Sequence, residues 1–178
     1  MIRSALVVLT VFLLTIPLQV EAGKRHKHRV EAERVGSVRI DYYGNDALVN
    51  YFYAVMVTDL NAATATMPRA PAFWMSDRQN KACSQLPWPV PDNVYQVCTS
   101  PYIDIANGLT WSNPVRRAAN IQIENSAATW SKLTQIICHE TMHATTGVLD
   151  SPNDDAERSC TDGHFNATGK AFMNWWWG

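Results

Sequence analysis

Residues 139–143 read His-Glu-Thr-Met-His, and their types and spacing are the best suited to chemistry in this chain. On an α-helix, positions i and i+4 project from one face about one turn apart, so two imidazoles can meet one Zn²⁺ ion. Glu140 lies between them on the same side, where a carboxylate can take a proton from a metal-activated water. The pattern predicts His139 and His143 as zinc ligands and Glu140 as a general base.

A catalytic zinc ion normally has a third protein ligand and keeps one position open for water. Asp150 is the favoured candidate, because it follows His143 by seven residues and lies just past Gly147. A helix that ends at a glycine and is followed by a sharp bend can bring such a side chain back over the metal. The sequence leaves four alternatives open: Asp154, Asp155, Glu157 and His164.

The four cysteines form an even set, which in an exported chain favours two disulfide bonds. Three pairings are possible. We expect Cys83–Cys98 and Cys138–Cys160, because these pairs close the two shorter loops. The second bond would tie the predicted metal helix to the loop that follows it.

The elements that must position these residues begin with an alternating segment, 38–42, which predicts a strand. From Ala47 to about Ala65 the chain has no Gly or Pro and is rich in apolar residues, which predicts a long, mostly buried helix. The stripe expected to face the core consists of Leu48, Tyr51, Val55, Thr58 and Ala62.

Four further segments are predicted as strands, and they span residues 72–75, 93–98, 102–106 and 120–124. The metal helix should begin near Thr129 or Trp130 and end at Gly147. Its expected core stripe is Trp130, Leu133, Ile137 and Ala144. The order of elements predicts an α+β fold with a mixed sheet, two long helices and an irregular C-terminal part.

Residues 1–22 have the features of a signal peptide: Arg3, an apolar run over residues 5–16 and the small-x-small triplet Val20-Glu21-Ala22. The apolar run is short for a bilayer span of ~20 residues, which favours a cleaved signal peptide over a membrane anchor. We therefore expect no stable membrane insertion after cleavage. Residues 23–36 are predicted as a basic arm and 37–178 as one catalytic domain. This predicts a secreted protein, extracellular or periplasmic. The net charge of −1 does not suggest a nucleic-acid partner, and we expect a monomer that acts on peptides or proteins.

The motif region resembles the metzincin clan of zinc endopeptidases, in particular small secreted microbial members of the matrixin or snapalysin kind. The similarity rests on the run from Ile137 through His139, Glu140 and His143 to Gly147, Asp150 and Cys160. The clan pattern is HExxHxxGxxH, or HExxHxxGxxD where aspartate replaces the third histidine. The resemblance implies a metzincin-like fold and one catalytic Zn²⁺ held by His139, His143 and Asp150, with Glu140 as the base.

Two features depart from the clan pattern. One extra residue separates His143 from Gly147, so Leu149 stands at the usual position of the third ligand. No Met follows Cys160 directly, and Met173 is the next one along the chain. The alternative interpretation is therefore a catalytically inactive binding protein, or a structural zinc protein, that retains a metallopeptidase-like fold.

Overall fold

Five strands form one mixed sheet in a computed structural model that describes residues 36–101, 107–124, 130–148 and 155–178. The strands are β1 (Ser37–Tyr42), β2 (Ala72–Asp77), β3 (Val94–Ser100), β4 (Gly108–Asn113) and β5 (Ala118–Glu124). Their order across the sheet is β2-β1-β3-β5-β4, and all neighbouring pairs are parallel except β4 with β5. The predicted α+β class with a mixed sheet is confirmed.

In the described residues, four helices accompany the sheet: α1 (Ala47–Ala63), α2 (Trp130–Thr146), α3 (Asp155–Arg158) and α4 (Ala167–Trp177), with a 3₁₀ turn at Cys83–Gln85. Helix α1 begins where the Asp46 carboxylate accepts hydrogen bonds from the amides of Leu48 and Val49, at 2.8 and 3.2 Å. This cap satisfies amide groups that have no partner inside the helix. None of the helices described is long and apolar enough to cross a membrane.

The main core lies between one face of the sheet and the two long helices. Alternate residues of β1, such as Val38 and Ile40, are buried together with Ile121 and Ile123 of β5. The same cluster contains Ile137 of α2, one turn before the Glu140 position. Because a strand alternates its faces, each strand supplies every second side chain to this core.

Helix α1 buries a different face from the one expected. Its buried residues are Val49, Tyr53, Met56, Val57 and Leu60, whereas Tyr51 is 62% exposed and Leu48 42% exposed. The prediction was wrong because α1 is apolar nearly all round, so the sequence pattern marks no single stripe. Trp130 is also outside the core: it is 68% exposed and packs edge-on against Phe52.

The C-terminal part is regular rather than irregular, which corrects the expectation. It contains the two-stranded hairpin β6 (Cys160–Thr161) and β7 (His164–Phe165), and then α4, capped by the side chain of Asn166. Met173 is buried within α4 and so does not lie in a turn. Trp177 at the end of α4 is 3% exposed and packs against Phe73.

Both predicted disulfide bonds are present. The Cα atoms of Cys83 and Cys98 are 5.4 Å apart, and those of Cys138 and Cys160 are 6.1 Å apart. The second bond joins α2 to the hairpin that follows α3. The predicted signal peptide, the basic arm up to residue 35 and the strand at 102–106 lie outside the described residues.

Candidate metal centre

The two histidines of α2 converge on one point. The Nε2 atoms of His139 and His143 are 2.9 Å apart, with the ring planes at 80° to each other. Two nitrogens bound to one tetrahedral zinc ion, each about 2.1 Å from the metal, are about 3.4 Å apart. The separation in this structure is close to that value, so both rings could bind a single ion after a small adjustment.

The orientation of the His143 ring is fixed by the end of its own helix. Its Nδ1 donates a hydrogen bond to the Val148 carbonyl, which leaves the Nε2 lone pair for a metal. Gly147 allows the chain to turn there, because its φ is +68° and its amide donates to the His143 carbonyl at 3.0 Å. The predicted end of the helix at Gly147 is therefore confirmed, and its turn also orients a candidate ligand.

Glu140 is held beside the two rings in a buried position. Its side chain is 5% exposed, and Oε1 lies 4.0 Å from Nε2 of His139. A carboxylate so close to the point where the rings converge is within reach of a water molecule bound there. The three residues predicted from the motif are thus brought together in the structure.

Gly108 allows Glu140 to occupy this position, although no motif in the sequence singles this glycine out. A Cβ atom on Gly108 would lie 2.5 Å from Oε1 of Glu140 and 2.8 Å from its Cδ. Its φ is not in the left-handed region, so the requirement for glycine here is the close approach of the carboxylate to the β4 backbone.

Strand β4 is also fastened to α2 by two hydroxyl groups. Thr110 Oγ1 donates to the Glu140 carbonyl at 3.3 Å, and Ser112 Oγ donates to the His143 carbonyl at 2.9 Å. Gly108, Thr110 and Ser112 alternate along the strand and therefore share the face toward α2. A glycine and two small hydroxyl residues at every second position are the only trace of this packing in the sequence.

The histidine pair stands between two cavities. The first, about 570 Å³, is lined by His139 and Glu140, by Gly108, and by polar residues that include Lys132 and Glu157. The second, about 730 Å³, lies on the side of His143 and the C-terminal half of β4. We refer to the two cavities together, with β4 along them, as the cleft.

Burial and the nearby Glu140 carboxylate both change the pKa of a tyrosine that lies beneath this centre. Tyr53 of α1 is 1% exposed, and burial, followed by the Glu140 carboxylate, raises the pKa of its phenol. The phenol therefore stays neutral at ordinary pH, and α1 supports the centre from the core side without adding charge to it.

The described residues contain no group of three His, Cys, Asp or Glu side chains that could hold a metal ion. His164 lies instead near α1, with Nδ1 3.7 Å from Asp59 Oδ2. Glu157 lines the first cavity, and Asp155 begins α3. Asp150 and Asp154 lie outside the described residues, so the third ligand stays a prediction.

Comparison of the chain with protein-family models, with curated proteins and with solved structures found no match.

Proposed function

We propose that this protein is a secreted zinc endopeptidase of the metzincin kind, with His139 and His143 as ligands and Glu140 as the general base. The observation that carries the proposal is the convergence of the two Nε2 atoms to 2.9 Å beside a buried carboxylate. The donor set suits zinc, which is commonly bound by imidazole nitrogen and carboxylate oxygen. The third ligand is proposed to be Asp150.

In the proposed reaction, the proton transfers fall to Glu140. When bound, zinc supplies a Lewis acid that polarises the scissile carbonyl and makes a water molecule more acidic. Glu140 takes the proton from that water as it attacks, and then passes the proton to the leaving amine. Its burial at the floor of the cleft keeps the carboxylate close to both partners in this transfer.

The substrate is proposed to bind as an extended peptide along β4. In the described residues, β4 pairs with β5 on one side only, and its residues 111–113 are exposed. A peptide that adds to this edge gains backbone hydrogen bonds and passes over Glu140 and His143. This agrees with the expected substrate class, a peptide or protein rather than a nucleic acid.

The test is digestion of an unbiased peptide mixture by the purified mature protein, read by mass spectrometry. Glu140→Gln is the matched variant, since it keeps the size of the side chain and removes its ability to accept a proton. We expect new cleavages with wild type, none with Glu140→Gln, and none after chelation until zinc is restored. A folded, zinc-loaded wild type that cleaves nothing would instead support a binding or structural zinc protein.

A further inference from the structure

The second cavity of the cleft is lined by four tryptophans from three parts of the chain. Trp111 belongs to β4, Trp175 and Trp176 belong to α4, and Trp88 lies in the loop before β3. Trp88, Trp111 and Trp175 are 71%, 46% and 76% exposed. Single exposed apolar side chains are common on protein surfaces, but several large ones gathered at one cavity are typical of a binding site.

The lining of this cavity carries almost no net charge. Arg116 is the only Lys, Arg, Asp or Glu among its described lining residues, and its Nε donates to Asp92 Oδ1 at 2.6 Å. Arg116 also donates to the Val90 carbonyl at 3.3 Å. Because its guanidinium is already engaged, the cavity favours an uncharged, apolar group over an anion.

The cavity is continuous with the candidate centre. It is lined by His143 and by Thr110 to Asn113, whereas the opposite end of β4, at Gly108, borders the first cavity, whose lining contains more charged residues. A peptide paired along β4 would therefore place residues in both cavities, on either side of the bond nearest to the histidines.

The direction of β4 decides which side of the bond enters the tryptophan cavity. The strand runs from Gly108 to Asn113, and antiparallel pairing is slightly more stable per residue than parallel pairing. A peptide antiparallel to β4 has its amino-terminal residues at the Asn113 end, beside the tryptophans.

We propose that the tryptophan-lined cavity is a substrate subsite that selects a large aromatic or aliphatic side chain on the amino-terminal side of the scissile bond. This inference rests on the proposed peptidase function. Indole rings suit such a group because they offer broad, rigid apolar contact at a low cost in conformational entropy.

The first test is the cleavage profile of wild type beside Trp111→Ala and Trp175→Ala. Trp74→Ala is the matched control, since Trp74 is also 46% exposed but lies on β2 at the far edge of the sheet. We expect a preference of ~10-fold or more for Phe or Leu over Ala before the scissile bond, in line with discrimination by an apolar pocket. The preference should fall severalfold in both cavity variants and remain in Trp74→Ala.

The subsite proposal would be overturned if cleavage showed no preference for Phe or Leu before the scissile bond, or a preference only after it. A preference that is unchanged in both cavity variants would also overturn it. Peptide binding gives a second readout that needs no cleavage. Acetyl-Phe-Phe-amide should change the tryptophan fluorescence of Glu140→Gln protein at lower concentration than acetyl-Ala-Ala-amide does. The difference should vanish when Trp111→Ala is added.

The two readouts separate the failure of the subsite from the failure of the proposed function. A wild type that cleaves nothing but binds the Phe peptide in a Trp111-dependent way would refute the peptidase and retain the apolar binding site. A wild type that cleaves peptides without any Trp111-dependent selection or binding would retain the peptidase and refute the subsite.

Discussion

Gly108→Ala should displace the proposed base without touching the proposed metal ligands. The three heavy atoms nearest to the new Cβ all belong to Glu140: Oε1 at 2.5 Å, Cγ at 2.7 Å and Cδ at 2.8 Å. Non-bonded carbon atoms prefer about 3.5–4.0 Å, so the carboxylate or the strand must move by about 1 Å. Glu140 is 4% exposed, so the shift falls on a largely buried side chain.

The size of the effect follows from that displacement. A misplacement of about 1 Å at a reacting group costs about 10²-fold in rate, so we expect kcat/KM to fall about 100-fold. Overpacking of this kind costs about 1–3 kcal/mol in the free energy of unfolding. In a domain of this size that lowers the Tm by about 2–4 °C per kcal/mol. Zinc content should be unchanged.

The assay combines kcat/KM on a peptide found in the digestion, Tm by calorimetry and zinc content by atomic spectroscopy. Glu140→Asp shortens the side chain by one methylene, so adding Gly108→Ala to it should cost less stability than in wild type. This double-mutant cycle measures the contact even if the protein proves not to be a peptidase. A Gly108→Ala protein with the Tm and kcat/KM of wild type would refute the packing argument.

Two further predictions concern stability. Replacing Cys138 and Cys160 by Ala should lower the free energy of unfolding by about 3 kcal/mol, as expected for a cross-link between residues 22 apart. Denaturant titration measures this change, and an unchanged unfolding midpoint would contradict the prediction. Burial raises the pKa of the phenols of Tyr42, Tyr53 and Tyr95 above the ordinary value of about 10. The contribution of these neutral phenols to the free energy of unfolding is therefore fully present below pH ~10 and is lost as the pH rises above it. Phenolate absorbance should show these three of the six tyrosines ionising only as the protein unfolds, and ionisation of all six in the folded state would refute it.

The features that the sequence predicted well are those set by short-range spacing. His139 and His143 converge because the i, i+4 relation of a helix dictates it, and Gly147 ends that helix because its φ of +68° favours glycine. The Cys138–Cys160 bond was predicted from loop length, which depends only on positions along the chain. None of these needs knowledge of the tertiary packing.

The features that the sequence missed depend on which surface each element meets. Helix α1 offers apolar side chains on both sides, so the choice of Val49 and Tyr53 over Leu48 and Tyr51 for the core is made by the sheet and by α2. The C-terminal hairpin was also missed, because strands of two residues are too short for alternation to reveal them.

Strand β4 shows why the cleft could not be derived from the motif alone. Its alternation is one of size rather than polarity: the small residues Gly108, Thr110 and Ser112 face α2, and the larger Leu109 and Trp111 stand between them in the sequence. Polarity-based patterns overlook such a strand, since hydroxyl residues read as solvent-facing. Here the hydroxyls face α2 and donate to the carbonyls of the residues that carry the proposed chemistry. The edge proposed to bind substrate and the helix proposed to bind zinc are thereby held in one register, which a five-residue motif on an isolated helix would not provide.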